Sequence, residues 1–163
     1  LLLYLWAQAL YAYGKADITA LEKLFLGGSG EGASKFEGFV FGDAHRLLEK
    51  YGQVHPPGHI LIEEGDDSRT AYFLYAGTAL VYKNTDSGRR HLGALNEGQL
   101  FGEMAYLLSE KRTASVVAET EITVLALPPQ IMEELMRHSA PLSRRIIDIL
   151  CQRLERMNLA NPG

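Results

Sequence analysis

The sequence predicts a mainly β domain with flanking helices: an antiparallel β-roll of the jelly-roll type, with N-terminal helices before it and two C-terminal helices after it. Three observations carry this. Short runs rich in β-branched and aromatic residues recur at close intervals between Ile60 and Leu127, a spacing that suits an antiparallel sandwich or roll. Turn signals separate them, notably Glu64-Gly-Asp-Asp-Ser68, Asn84-Thr-Asp-Ser-Gly88 and Asn96-Glu-Gly98. Helical patterns with cap signals stand on both sides.

Taken in order, residues 1–26 read as helical. Leu1 to Tyr13 is apolar nearly all round, which calls for burial against the domain, a second copy or further sequence. Thr19-Ala-Leu-Glu22 reads as a capping box opening a second helix that stops at Gly27. The apolar run is too short to span a membrane and lacks the basic flank of a signal peptide. Trp6 to Glu22 faintly resembles one tetratricopeptide unit, but without a repeat it carries little. Gly27 to Ala33 has a flexible linker's composition. Its Gly28-Ser-Gly30-Glu-Gly-Ala33 matches a dinucleotide-binding fingerprint ending in alanine. That motif needs a preceding strand, and a helix precedes it here.

A short helix is expected from Asp43, as N-cap, to Tyr51, with Gly52 ending it. Strands are expected at Ile60–Ile62, Ala71–Tyr75, Thr78–Lys83, Arg90–Leu95, Gln99–Phe101, Thr113–Ala118 and Ile122–Leu127. Pro128-Pro129 opens a helix to about His138, and Ser139 with Pro141 opens another to about Leu159. On that last helix Ile147, Leu150, Leu154 and Met157 form one apolar stripe, and Leu142, Ile146, Ile149 and Arg153 an adjoining face.

Composition narrows the function. With 163 residues, 47% hydrophobic and 22% charged, the chain suits one domain plus an appendage. A net charge of -4 argues against a duplex-binding surface, which needs a basic stripe. The single cysteine, Cys151, rules out an internal disulfide framework and points to a reducing, cytoplasmic setting; its helical context reads as a buried small residue. Because position 1 is leucine, the chain is expected to be a fragment or to lack its start.

The stretch from Gly98 to Ser115 carries the chemistry. Gly98 and Gly102 permit turns closed to other residues. Glu103 to Leu108 forms a short helical turn whose free N–H groups favour an anion. Arg112, nine residues after Glu103, can return to the same spot with a planar fork for phosphate oxygens. A carboxylate beside an anion site makes sense if Glu103 accepts hydrogen bonds from hydroxyls.

This stretch resembles the phosphate-binding cassette of cyclic nucleotide-binding domains, the sensor modules of catabolite activator proteins, protein kinase regulatory subunits and nucleotide-gated channels. His55-Pro-Pro-Gly-His-Ile-Leu-Ile-Glu-Glu-Gly65-Asp66 and Tyr72-Phe-Leu-Tyr-Ala-Gly77-Thr-Ala-Leu-Val81-Tyr82 extend the resemblance over roughly residues 43–157. Lys111 stands where a proline is common and Tyr106 where a small aliphatic residue is usual. The resemblance implies that Glu103 accepts from a ribose 2′-hydroxyl, that Arg112 pairs with the cyclic phosphate, and that the helix start at Gly102, Met104 and Ala105 cradles it, with Thr113 beside it. It also implies that the last helix covers the base, with Arg153 as a lid residue and Val81, Leu92 and Leu95 as the base pocket wall.

The expectation is therefore a helical segment and linker over 1–34, then a cyclic nucleotide-binding domain over 35–163. The domain would be a regulatory module for cAMP or cGMP, with no cofactor, metal or catalysis of its own. Thr113 does not decide between the two nucleotides. Homodimerisation through N- or C-terminal helices is open, and an effector domain would be absent or separate. Two competitors differ in class. A cupin-type metalloenzyme needs several imidazoles on one metal, yet the five histidines are scattered and no His-x-His pair occurs; His55 and His59 read as surface residues. A ligand-free interaction module would have no use for the Glu103 and Arg112 pair.

Overall fold

The computed structural model describes residues 2–27 and 41–160. The glycine-rich linker, its fingerprint-like glycines and the boundary expected at 34/35 lie outside those residues. In chain order the elements are α1 (Leu2–Gly27), α2 (Phe41–Tyr51), β1 (Gly52–His55), β2 (Ile60–Ile62), β3 (Ala71–Ala76), β4 (Ala79–Thr85), β5 (Gly88–Leu95) and β6 (Leu100–Phe101). They continue with α3 (Glu103–Leu108), β7 (Ser115–Ala118), β8 (Ile122–Leu127), α4 (Pro129–His138) and α5 (Ala140–Ala160).

The strands form two four-stranded sheets, ordered β1-β8-β3-β6 and β2-β7-β4-β5, with every pairing antiparallel. This is the expected roll with flanking helices. β4 and β5 make its longest hairpin, paired from Ala79↔Leu95 to Thr85↔Gly88. Gly88 closes it at φ 114°, a region that L side chains rarely adopt.

Two apolar clusters hold the roll. Between the sheets lie Leu74, Val116, Ile122 and Val124. On the other side of the first sheet, Phe73, Leu125 and Leu127 meet the helices through Leu21, Leu47 and Ile146. β3 and β8 thus bury side chains on both faces, which is why they read as nearly continuous apolar runs.

The structure corrects several local readings. α1 is one helix, not two: Thr19 sits inside it, and its Oγ1 donates back to the Lys15 carbonyl (3.0 Å) instead of capping a new start. The buried stripe Ile18, Leu21 and Phe25 continues the helix through that point. Asp43 is not an N-cap, because α2 begins two residues earlier at Phe41. β1 had no counterpart among the expected strands: Gly52 ends α2 and begins β1, which pairs with β8 along its whole length. Thr113 precedes β7 rather than opening it. Cys151 is exposed, since it faces outward on α5. Leu2, Leu3 and Leu5 are 78%, 87% and 54% exposed, so these three side chains do not pack on the domain.

The second half of α1 is fixed by charge as well as by packing. Asp17 is buried and receives Arg46 Nε (2.9 Å) and Lys50 Nζ (2.6 Å), both from α2. The hydrogen bond to Asp17 is the main reason the Lys50 ammonium titrates above its usual 10.5. A raised folded-state value means that this contribution is complete below the ordinary lysine range and is lost only as pH climbs through the folded value. Asp17→Ala strands two cations on α2, both partly solvated, so it should cost about 1–2 kcal/mol. A thermal melt should fall by about 2–4 °C per kcal/mol lost. A midpoint equal to the parent's would show that the cluster does not dock α1.

Candidate functional site

The site begins where β6 ends. Gly102 has φ 76° and ψ 3°, a left-handed turn that aims the chain into α3. A Cβ at this position would meet Arg112 Nη1 at 2.9 Å, Ile62 Cδ1 at 3.2 Å and the Thr70 carbonyl at 3.3 Å. Glycine is therefore required twice, for its dihedral and for its closeness to the guanidinium. α3 then makes one and a half turns, burying Glu103 and Ala105, and Ser109 at φ 52° ends it.

The chain returns through Arg112, whose backbone is bolted to the turn after β2. Its N–H donates to the Asp66 carbonyl and its carbonyl accepts from Gly65 N–H, both at 2.8 Å. The side chain is 5% exposed. Nη1 donates to the Gly102 carbonyl (2.8 Å), and Nη2 donates to the Thr70 carbonyl (2.5 Å) and Ser68 Oγ (3.2 Å). Burial lowers its pKa from the usual arginine range, opposed by Tyr72, Asp66 and Glu103. Arginine stays charged regardless, so a cation sits beneath the start of α3.

Glu103 is fully buried. Its Oε1 receives Arg153 Nη1 from α5, and its Oε2 has no partner. On Arg112, Nε is likewise buried without a partner. Buried polar atoms are nearly always satisfied, and leaving one unmet costs roughly 1–3 kcal/mol. Here an acceptor and a donor are both left unmet around one helix start.

A cavity of about 360 Å³ opens beside this arrangement. Gly102, Met104 and Ala105 line it from α3, with Arg112 and Thr113 next to them. Val81, Leu92 and Leu95 line it from the β4–β5 hairpin, and Arg153 from α5. Of the ligand-contacting, base-wall and lid residues expected from the sequence, Glu103 alone is absent from the wall, and Gly98, the other turn glycine, is absent too; Arg153, which is in the wall, holds Glu103 from within. Leu92 is 50% exposed, so the hairpin side is an open apolar mouth.

Sequence reasoning missed Glu110 and Lys111 at the rim, Arg156 on α5, and the Ser68 and Thr70 oxygens that hold Arg112. Lys111 lay within the singled-out stretch, and Arg156 follows Arg153 at helical spacing. Nothing local to Ser68 or Thr70 signals their role, because β2 and β3 bring them to the site from elsewhere in the chain. Among the described residues, no three histidine, cysteine, aspartate or glutamate side chains converge as a metal site. His55 and His59 instead stack on each other at 4.2 Å.

Comparison with known proteins identifies the domain. The family model for the cyclic nucleotide-binding domain matches residues 53–139. A cAMP-dependent protein kinase regulatory subunit of Pyricularia oryzae is 36% identical over 93 residues, covering 57% of this chain and 23% of that protein. The Cyclic AMP receptor protein of Thermus thermophilus is 27% identical over 131 residues, covering 79% and 61%. The crystal structure of Thermus thermophilus Catabolite Activator Protein superposes with a TM-score of 0.64 at 27% identity, over 77% of this chain and 60% of that one. The chain spans between 19% and 29% of the length of five cAMP-dependent protein kinase regulatory subunits that it matches.

The glycine geometry gives a direct test. Gly102→Ala should cost about 1–3 kcal/mol through left-handed strain and displacement of the guanidinium. Gly93→Ala, on the same cavity wall but with nothing within 4 Å of its Cβ, should melt with the parent. Equal melts for the two variants would refute the requirement at Gly102.

Proposed function

The chain belongs to the cyclic nucleotide-binding domain family, and we propose that it is a regulatory sensor for a cyclic purine mononucleotide, cAMP or cGMP, with no catalysis of its own. One observation carries the reading: the two orphaned buried atoms, Glu103 Oε2 and Arg112 Nε, flank the same helix start. One atom needs a donor and the other an acceptor. A ribose 2′-hydroxyl beside a cyclic phosphate supplies both from one rigid ligand. The phosphate's single charge matches Arg112, the one buried cation among the described residues, and Gly102 lets the backbone approach it. The apolar mouth at Val81, Leu92 and Leu95 suits a flat base, and Thr113 lies beside the phosphate position. A cavity of about 360 Å³ lies within the range of small-ligand sites.

Arg153 has a second role in this reading. By occupying Glu103 Oε1 it fixes the carboxylate so that Oε2 is left for the ligand. Ligand contact at Glu103 is thereby mechanically joined to α5, which would carry the signal. A ligand that favours the seated position of α5 shifts the population toward it. The receiver of that signal lies in another domain or another chain.

A second copy is the partner we assign to α5. Its inner face buries Leu142 and Ile146, while Ile147 and Leu154 point outward at 49% and 38% exposed. With Leu150 half-buried between them they make a seam spaced by three and four residues, the pattern of paired helices. The side chain of Met157, the fourth member of the stripe, lies outside the described residues. The cytoplasmic setting rests on Cys151 standing exposed and free, which suits a reducing compartment.

Titration calorimetry tests the site. Arg112→Leu should weaken cAMP binding about ten- to a hundredfold, as expected for a lost charge-assisted contact of about 1.5–3 kcal/mol. Glu103→Gln should cost less and should blunt discrimination against 2′-deoxy-cAMP. Equal binding of cAMP and its 2′-deoxy analogue by the parent would remove the role given to Glu103.

The α5 assignments need a cut that spares the core. Truncation after Leu150 keeps Leu142 and Ile146 but removes Arg153 and half the seam. It should stay folded, melting somewhat below the parent because Glu103 loses its cation, and should bind nucleotide more weakly and release it faster. Ile147→Glu in the full chain should halve the mass seen by light scattering. Unchanged affinity in the truncation would refute the lid, and unchanged mass in Ile147→Glu would refute the paired helices.

A further inference from the structure

We propose that a second cleft, sharing Arg153 with the nucleotide cavity, binds a small organic phosphate and thereby weakens cyclic nucleotide binding; the coupling rests on the function proposed above. The cleft encloses about 390 Å³ between α5, the end of α1 and the turn from β5 to β6. Three guanidinium groups line it, from Arg145, Arg153 and Arg156, against one carboxylate, Glu97. That carboxylate is already engaged, accepting the Gly77 N–H at 3.1 Å. Such a concentration of positive charge in a chain of net charge -4 is local, and overall composition does not explain it.

The other polar groups of the wall are also set as donors. Gln99 uses its carboxamide oxygen to accept the Asn96 N–H (2.7 Å), which leaves its NH₂ end to donate. Arg145 spends one nitrogen on the Phe25 carbonyl (2.7 Å) and keeps the rest of its fork. Arg145 and Arg153 are half-buried, where charge is screened less than in open water. The floor is apolar: the Phe25 and Phe73 rings lie 5.1 Å apart, with Leu100 beside them. Donors above an apolar floor select an anion attached to a flat or apolar group. Planar guanidinium forks favour a phosphate among such anions.

Arg153 makes the two sites interdependent. Its Nη1 holds Glu103, whereas its Nη2 is only loosely placed, 3.4 Å from the Leu100 carbonyl. A doubly charged phosphate in the cleft competes with Glu103 for this guanidinium and loosens the carboxylate that the nucleotide requires. Linkage makes the effect reciprocal, so cyclic nucleotide must weaken the phosphate by the same factor.

Phenyl phosphate is the probe, titrated into the full chain with inorganic phosphate as comparison and ionic strength matched with sodium chloride. Phenyl phosphate should bind more tightly than inorganic phosphate, and saturating amounts should weaken cAMP binding by about fivefold or more. Arg145→Ala and Gln152→Glu should each weaken phenyl phosphate about tenfold while leaving cAMP affinity in its absence unchanged. Gln152 is exposed, so its variant guards against destabilisation from the lost Arg145 tie to α1. Arg153→Leu should abolish the antagonism. Failure of phenyl phosphate to bind, or equal binding by parent and Gln152→Glu, overturns the site. Antagonism that persists unchanged in Gln152→Glu means that the probe occupies the nucleotide cavity, and this too overturns it. If cAMP fails to bind while phenyl phosphate binds and weakens in Gln152→Glu, the nucleotide reading and its coupling fall and the anion site stands.

Discussion

The burial of one guanidinium organises this molecule's site. Arg112 cannot lose its charge, and at 5% exposure it has almost no water to solvate it. The fold answers with carbonyls from Gly102 and Thr70 and the hydroxyl of Ser68. Those partners come from the end of β6 and from the segment leading into β3. Seating the cation therefore fixes the relative positions of three otherwise separate pieces of chain. Gly102 must stay glycine because the guanidinium occupies the space a side chain would need. The remaining nitrogen, Nε, is then a desolvated donor without a partner. Such a group interacts with an incoming anion far more strongly than an exposed arginine would.

Glu103 and Arg153 form the complementary half. A fully buried carboxylate without a cation would be costly, and Arg153 meets only one of its two oxygens. The same contact spans the roll and α5, elements fifty residues apart in sequence. What stabilises the carboxylate thus also ties α5 to the proposed ligand site. α5 itself has a divided character. Its first half packs Leu142 and Ile146 into the helical core, and its second half turns arginines toward the roll and aliphatics toward solvent. A helix built only for packing would do the reverse, so two further contacts are implied, one polar inside and one apolar outside.

The N-terminal helix illustrates how tertiary burial overrides local signals. Thr19 and Glu22 satisfy the spacing of a capping box, yet Ile18, Leu21, Leu24 and Phe25 all enter the core, and one continuous helix buries them together. Thr19 keeps its hydroxyl satisfied by bonding backward to Lys15. Asp17 was unremarkable in the sequence because its partners lie on α2, more than a full helix away.

The sequence by itself determined the alternation of short strands, the glycine at Gly102, the short helix behind it, and the spacing that returns Arg112 to the same turn. These are legible because turns, caps and side-chain periodicity are set by residues within a few positions of one another. It also indicated that Val81, Leu92, Leu95 and Arg153 would share one cavity wall, through a resemblance and not through local chemistry. Tertiary structure alone decided that Glu103 is sealed beneath Arg153, that Ser68 and Thr70 seat Arg112, and that β1 pairs with β8. It alone turned the Ile147 and Leu154 stripe outward and gathered three arginines around one cleft with Phe25 and Phe73. Each depends on which distant elements meet, and that is settled by the shared burial of surfaces that no local window of sequence contains.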